Sequence, residues 1–542
     1  MPRDRRLLRA AGKACRPPQV EPLSRGGAAP EMRTYVSARR TAETRYSFAE
    51  ELWNHRAHTI MLQEQGILAR SDAARILRAL AEIDRIGPDR FPIDSDTGEL
   101  LFSVERYLQR RIGDDTASRM HTGRSRGDLY VCVERMVFRE RILALADVLV
   151  RLADSLLAQA ARHTDTLMPG YTLLQHAQPL TFGHYLLSFV ERFCRDLARL
   201  RETYGRVNQS PMGSAILSGT TFPVNRPRMA ALLGFNGVLE NTRDASTARD
   251  HSLEALAHTA IAASNLMTLC EDLILWCTYE FGLVELGEGF SGTSSIMPQK
   301  KNPSALTRVR HLAAECVGET MMGFMQIKTH SEQLNDLEAT GPVVWRALDA
   351  AIAATDLLRP TVAALKVNPE RMAQLAAANF IQAPELAETI AQKEKLPFRV
   401  AHRIVARLVR QCVNARIGPA QVTPEMINAA AVAVLRRPLA VRAATLRTCM
   451  DVARAIRERR APGGPGPAQV GRMLGWRTAF LARVARWIRS GHASIESARK
   501  ATDRRAEQLT TRSKTTGGRR RLREGAPPVR EVPFASVRRA RQ

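Results

Sequence analysis

The sequence predicts an all-α protein built around a long helical bundle and divided into three folded domains. Three observations predict this. Alanine and leucine are abundant while aromatic residues make up only 5% of the chain, a bias toward helix over sheet. Apolar residues recur at heptad spacing over two long stretches. At 542 residues the chain is too long for one hydrophobic core, which sets the expectation at two to four domains.

Residues 1–45 mix Pro, Gly and Arg without period and read as a disordered basic leader. Residues 46–124 read as a domain of short helices, broken at Gly87-Pro88 and from Phe91-Pro92 to Gly98. Residues 125–366 form the expected central bundle. Its first long helix carries Met136, Leu143, Val150 and Leu157 seven apart, flanked by Ile142, Leu149 and Leu156 and by Ala146 and Ala153, and Pro169-Gly170 is its expected end. A second carries Leu256, Ala260, Ala263, Met267, Cys270, Ile274 and Cys277 at alternating spacings of four and three. Further long helices are expected from about Pro303 to Ile327 and from Pro342 to Leu365. These stripes are core. Residues 367–490, punctuated by Pro384, Pro397, Pro419, Pro424 and the run Pro462 to Pro467, read as a smaller helical domain. Residues 491–542 are Arg-rich and poor in apolar residues, and read as a disordered basic tail.

The net charge of +26 sits largely at the ends. Residues 1–46 contribute +7 and residues 492–542 contribute +9, leaving +10 for the body. The ends lack aromatic interleaving and any nucleic-acid motif, so solvated Arg-rich disorder is favoured over nucleic-acid binding. A mildly positive body suits a small anionic substrate. The eight cysteines form no C-x-x-C pair. They read as small buried hydrophobes in a reducing, cytoplasmic compartment, and no zinc site is suggested. The basic N-terminus has no apolar segment after it and resembles a transit peptide only weakly. The long apolar runs carry periodic polar residues, so no membrane span is expected.

Four segments carry a chemical signal. His121-Thr-Gly-Arg-Ser-Arg-Gly-Asp128 resembles the argininosuccinate lyase motif HTGRSRND, and Pro169-Gly-Tyr-Thr-Leu-Leu-Gln-His-Ala-Gln-Pro179 resembles PGYTHLQHAQP. Ser210-Pro-Met-Gly-Ser-Ala-Ile-Leu-Ser-Gly-Thr220 is similar to SPLGSGALAGT, and Ser294-Ser-Ile-Met-Pro-Gln-Lys-Lys-Asn-Pro303 to the loop SSxMPxKxNP of the fumarase/aspartase superfamily. Glu271-Asp-Leu-Ile-Leu-Trp, followed by Glu280-Phe-Gly-Leu-Val-Glu285, also fits. The resemblance runs from about residue 46 to 490, with the motifs in order and at the family's spacing.

The resemblance implies a three-domain fumarase/aspartase-type fold and a homotetramer whose active sites are shared between subunits. It implies elimination of fumarate from an N-succinyl amino acid, with no metal and no organic cofactor. Such lyases remove a proton beside a carboxylate and expel a nitrogen from the next carbon. The doubly charged intermediate needs preorganised donors and a cation. By resemblance Ser294 is the catalytic base, and its hydroxyl needs backbone amides, a nearby cation and exclusion of water to ionise. Lys300 is the implied cation. Thr122, Ser125, Arg126, Thr172, Gln175 and Asn302 are the implied substrate-binding residues.

Departures from the family pattern fall on the same segments. The histidine of YTH is Leu173 and its glutamate partner is Thr307, so both halves of a histidine–carboxylate pair are replaced together. The asparagine of RSRND is Gly127. The EDIHMNIE segment is Glu99-Leu-Leu-Phe-Ser-Val-Glu105, without its histidine and asparagine, and the segment gripping the arginine end aligns loosely with Thr329 to Leu337. In the lid loop Gly292 sits one place early. His121 and His176 survive as alternative relays or as capping and packing residues. Three readings stay open: argininosuccinate lyase, a related lyase on another N-succinyl amine, and a non-catalytic helical oligomer.

Overall fold

The computed structural model describes residues 27–327 and 340–511. The principal helices in chain order are α1 (Ala38–Tyr46), α2 (Phe48–Glu64), α3 (Arg70–Ile86), α4 (Leu100–Ile112), α5 (Arg126–Arg162), α6 (Phe182–Val207), α7 (Asp250–Trp276), α8 (Ser304–Gln326), α9 (Thr340–Ala363), α10 (Ala383–Lys393), α11 (Phe398–Asn414), α12 (Pro424–Leu435) and α13 (Pro467–Thr510). The β structure among the described residues is confined to two-residue ladders, so the all-α expectation holds.

Helix α5 organises the molecule. Ser125 caps it with extended backbone, and Asp128 closes a capping box by accepting the Ser125 amide at 2.9 Å. All nine residues of its expected heptad face are buried. The helix stops at Arg162, short of Pro169-Gly170, and His163 caps it by pairing with the Ala160 carbonyl. α5 packs against α6 and α9, α8 packs against α7 and α9, and α7 also packs on α6. These five helices form the central bundle. On α7 the buried stripe is offset from the expected seam. Leu256, Ala263 and Cys270 are buried, but Ala260, Met267 and Ile274 are half-exposed.

Four expectations need correction. Helix α6 was not anticipated, although Leu186, Phe189, Val190, Phe193, Leu197 and Leu200 give it a helical buried face. The leader is helical from Pro30 onward, and Ser37 is buried there with its hydroxyl bonded to the Asp96 carbonyl at 2.8 Å. The helices of residues 46–124 share one continuous core with the bundle, from Phe48 to Leu509. A second sizeable core lies in α10–α12 and the short helix Ala443–Met450, around Leu386, Ile404, Leu408, Ile427 and Leu446.

The fourth correction concerns the tail. Residues 491–510 continue α13, which lies along α3, α5 and α6. Gly491 is not a boundary. A Cβ there would stand 3.0 Å from both Leu143 methyl carbons, so glycine permits the close crossing of α13 over α5. Gly491, Ile495, Thr502 and Leu509 are buried at helical spacing. Among the described residues, no helix is long and apolar enough to cross a membrane, and the seven cysteines are free thiols.

Candidate active site

The expected site residues fall on three separate segments. Thr122, Ser125 and Arg126 lie at the N-terminus of α5. The carbonyl of Thr122 accepts from His58 Nε2 at 2.9 Å, and the buried Nε2–H of α2 thereby fixes the loop. Ser125 Oγ accepts the Gly127 amide at 3.2 Å. Arg126 Nη1 pairs with Glu99 at 3.1 Å. Glu99 also accepts from Arg40 at 3.0 Å and from Tyr130 at 2.7 Å. Buried at the start of α4, it holds three donors from two helices, α1 and α5, a role its neighbours in sequence do not announce.

Asp128 joins this segment to the second serine motif. Its Oδ2 accepts the amides of Gly213 and Ala215, each at 3.0 Å. Burial pushes its carboxyl up to about 6, against the pull of those amides and of Arg124. Ser210 and Ser214 are buried. Ser210 Oγ accepts the Met212 amide and Ser214 Oγ accepts from Ser246 at 3.0 Å, so both serve the loop itself.

Thr172 and Gln175 are exposed and face each other in a hairpin whose other rung is Tyr171 opposite His176. Its two-residue turn is Leu173-Leu174, with φ of 53° and 58°. Leu173 is 95% exposed. His176 packs edge-on against the Tyr171 ring at 5.2 Å. The other surviving histidine, His121, sets Nδ1 3.2 Å from the Glu105 carboxylate.

Ser294, Lys300 and Asn302 share the third segment. The amides of Gly292 and Asn302 each donate to the other's carbonyl at 2.9 Å and close the loop at its base. A Cβ on Gly292 would stand 2.2 Å from Ser304 Oγ, which accounts for glycine at this place in the loop. Inside the loop Ser294 Oγ accepts the Met297 amide at 3.1 Å and the Ile296 amide at 3.4 Å. Lys300 and Ser291 line an open basic cleft with Lys301, Lys366 and Arg371. Lys301 is held by Glu285 at 2.6 Å, and this pairing lowers the Glu285 pKa. Thr307 Oγ1 donates to the Pro303 carbonyl at 2.9 Å, so its hydroxyl is spent on the first turn of α8.

Within one chain the structure thus brings Ser294, Lys300 and Asn302 together, brings Thr122, Ser125 and Arg126 together, and leaves Thr172 and Gln175 on an exposed hairpin. The segment Thr329 to Leu337 lies outside the described residues. Among the described residues no group of three or more His, Cys, Asp or Glu side chains is placed to hold a metal ion. A second cavity is walled by Arg39, Arg40, Glu51, Glu99, Tyr130, Glu134 and Trp345; Glu99 opens one of the motif segments, and Glu51, Tyr130, Glu134 and Trp345 lie outside them. Their one sequence signal is acidic residues inside otherwise apolar helical stretches.

Known proteins resemble this chain in sequence and fold. The Lyase family matches residues 25–318 and the Argininosuccinate lyase C-terminal family residues 380–457. The argininosuccinate lyase of Methanothermobacter thermautotrophicus is 38% identical over 78% of this chain and 90% of its own length. That of Methanocaldococcus jannaschii is 36% identical over 82% and 90%. Among solved structures, EDDS lyase in complex with formate superposes with a TM-score of 0.80 at 32% identity, covering 90% of this chain and 96% of that one. A fumarate lyase from Mesorhizobium sp. BNC1, 20% identical with a TM-score of 0.65, shares the fold. With the motif loops in place and relatives matched along nearly their whole length, this chain belongs to the argininosuccinate lyase family of the fumarase/aspartase superfamily.

Proposed function

We propose that this chain is a carbon–nitrogen lyase that releases fumarate from an N-succinyl amino acid, with Ser294 as the base. One observation carries the reading: Ser294 Oγ already accepts two backbone amides within its loop. Amides aimed at a hydroxyl oxygen stabilise the alkoxide it must become, without reorganisation at the moment of proton transfer. Lys300 supplies the cation, Asn302 a donor to the substrate carboxylate, and Thr122, Ser125 and Arg126 the anchor for the other end.

Completion of the site requires neighbouring subunits, and a homotetramer in the cytoplasm is the assembly we propose. Leu173, Ile296 and Met297, on two of the site loops, are exposed in the single chain. So are Val317, Met321, Phe324 and Met325 on one side of α8. Apolar surface of this extent marks an interface. Burial there would exclude water from Ser294 and bring the three segments together.

The substrate is argininosuccinate or another N-succinyl amino acid. The replacements Leu173 and Thr307 favour the second, as does the likeness to EDDS lyase. The test is fumarate release from succinylated amino acids, followed by ultraviolet absorbance. Ser294→Ala should lower the rate by ~10²–10⁴-fold, the usual contribution of a positioned base. Full rate in that variant rejects Ser294 as the base. Release from none of the compounds rejects the lyase reading.

A further inference from the structure

We infer, on the basis of the lyase reading above, that Asp128 is a positioning residue for the substrate. Its buried, negatively charged carboxylate ties the loop of residues 210–220 to the N-terminus of α5. It thereby sets how firmly Thr122 and Ser125 hold their end of the substrate, without taking part in proton removal at Ser294.

Three backbone amides converge on this one side chain. Oδ1 accepts from Ser125 at 2.9 Å, and Oδ2 accepts from Gly213 and Ala215 at 3.0 Å each. Asp128 itself is fully buried. A carboxylate accepts all three donors. A protonated carboxyl turns an O–H toward amide N–H groups, which cannot accept it, and at least one bond is lost. The negative charge is therefore what makes the junction.

The loop needs such a junction. Ala215 and Leu217 hold left-handed backbone, with φ of 48° and 72°. That conformation costs free energy in any residue with a Cβ and persists only where the surroundings impose it. Asp128 holds the loop by its amides. Arg226 holds it by its carbonyls, donating from Nε to Met212 at 3.0 Å and from its two Nη atoms to Glu240 and Leu239. The turn before α5 also presses on the chain just past the loop, since a Cβ on Gly123 would stand 2.8 Å from Val224 Cγ1. Asp128 thus bonds to both segments at once, and a shift of the loop is passed to the Ser125 backbone. Ser294 is held by the Ile296 and Met297 amides of its own loop, so its proton transfer is set elsewhere.

The charged groups that act on Asp128 are Arg124, beside the N-terminus of α5, and Arg226, from the far side of the loop. The buried Cys132 thiol lies one turn along α5. Burial pushes the Asp128 carboxyl up to about 6, against the Ser125 amide and Arg124. The junction therefore holds above that value and loosens as pH falls through it.

The experiment follows fumarate release by the full-length protein as KM and kcat against pH. The substrate is argininosuccinate, or in its place the succinylated amino acid that is cleaved fastest. KM should rise roughly fourfold between pH 7.5 and 5.5, as a carboxyl of pKa about 6 takes up its proton. Asp128→Asn should raise KM about tenfold at pH 7.5, keep kcat within about threefold, and remove the pH dependence of KM. His121 is the competing titratable side chain of this segment, and His121→Gln should keep the rise. Hydrogen exchange of the peptide over residues 210–220, corrected for the intrinsic rate, reads the junction without turnover. It should quicken in Asp128→Asn at pH 7.5, and in the unaltered protein between pH 7.5 and 5.5. If Asp128→Asn does not fold, the wild-type profile, His121→Gln and the exchange decide. A KM that is flat with pH, a rise abolished by His121→Gln, a loss in Asp128→Asn that falls on kcat alone, or unchanged exchange overturns the inference. Fumarate release with an unchanged KM in Asp128→Asn would overturn this role and leave the lyase reading intact. Exchange that quickens as stated, with no fumarate release from any succinylated compound, would keep the junction and reject the lyase reading.

Discussion

Leu173 holds left-handed backbone, at a cost of roughly 1–2 kcal/mol for a residue with a Cβ, and presents 95% of its surface to water. Both features fit the proposed tetramer, in which a neighbouring subunit would cover this side chain. A leucine there cannot carry a proton, and the Thr307 hydroxyl is bound to its own helix. Restoring the pair with Leu173→His and Thr307→Glu together should raise cleavage of argininosuccinate, and each single change should do little. A double variant with no gain would shift the cause to the arginine-end contacts. Glu51 gives a prediction in pH. Its folded pKa of about 8 lies above the ordinary 4.5, so the folded chain binds the extra proton between those values. The associated stability is full below 4.5 and is lost as pH rises toward 8. Glu50 and Asp128, raised to about 7 and about 6, act with the same sign at lower pH. The fall from about 7 to about 8 includes the Glu51 contribution, and Glu51→Gln should make the drop in melting temperature there shallower; an unchanged slope would exclude it as a source. Much of this site was legible because the loop motifs are contiguous in sequence. Glu51 and Trp345 were not, since a cavity joins them from positions some 300 apart in the chain.

Helix α8 shows what a single element contributes. Its buried side, Leu306, Val309, Ala313 and Cys316, packs into the bundle. The opposite side exposes Val317, Met321, Phe324 and Met325 at helical spacing. A helix apolar on two sides has two surfaces to cover; among the described residues the second stays exposed, as the proposed tetramer requires. The half-exposed Ala260, Met267 and Ile274 of α7 tell the same story. If α8 forms the proposed interface, Met321→Glu with Met325→Glu should leave the helical circular dichroism intact, convert the proposed tetramer to smaller species in sedimentation, and abolish activity. An unchanged sedimentation coefficient would remove α8 from the interface. The periodicity of α5 and α7 announced the bundle. It could not divide an apolar stripe between intramolecular and intermolecular burial, because both surfaces demand the same residue types. Helix α6 carries as regular a repeat, with Leu186, Phe193, Leu200 and Val207 seven apart and all buried, although it opens directly after the Pro179 loop.

At the scale of the whole molecule, the question is how much of the basic ends belongs to the fold. Composition placed the boundaries at 46 and 491, and the packing moves both outward. Residues 491–510 are rich in charge, but Gly491, Ile495, Ala498, Thr502 and Leu509 fall at helical spacing, and Thr502 Oγ1 donates to the Leu232 carbonyl at 2.7 Å. Arg499 stacks its guanidinium over Trp53 at 4.6 Å, and Arg505 pairs with Glu64 at 2.9 Å. The charges of this stretch thus reach across to α2, and the charge density that suggested disorder is one side of a docked helix. Burying Ile495 and Leu509 is worth about 1.5–3 kcal/mol each, against a total stability of about 5–15 kcal/mol for a typical domain. Ending the chain at 491 also opens the core over α2 and α3. A chain of residues 27–511 should therefore retain the melting temperature and the sedimentation of the full-length protein. A chain of residues 46–491 should melt markedly lower or precipitate. Equal melting temperatures for the two would show that the last turns of α13 and the helix before α2 lie on the surface without stabilising it.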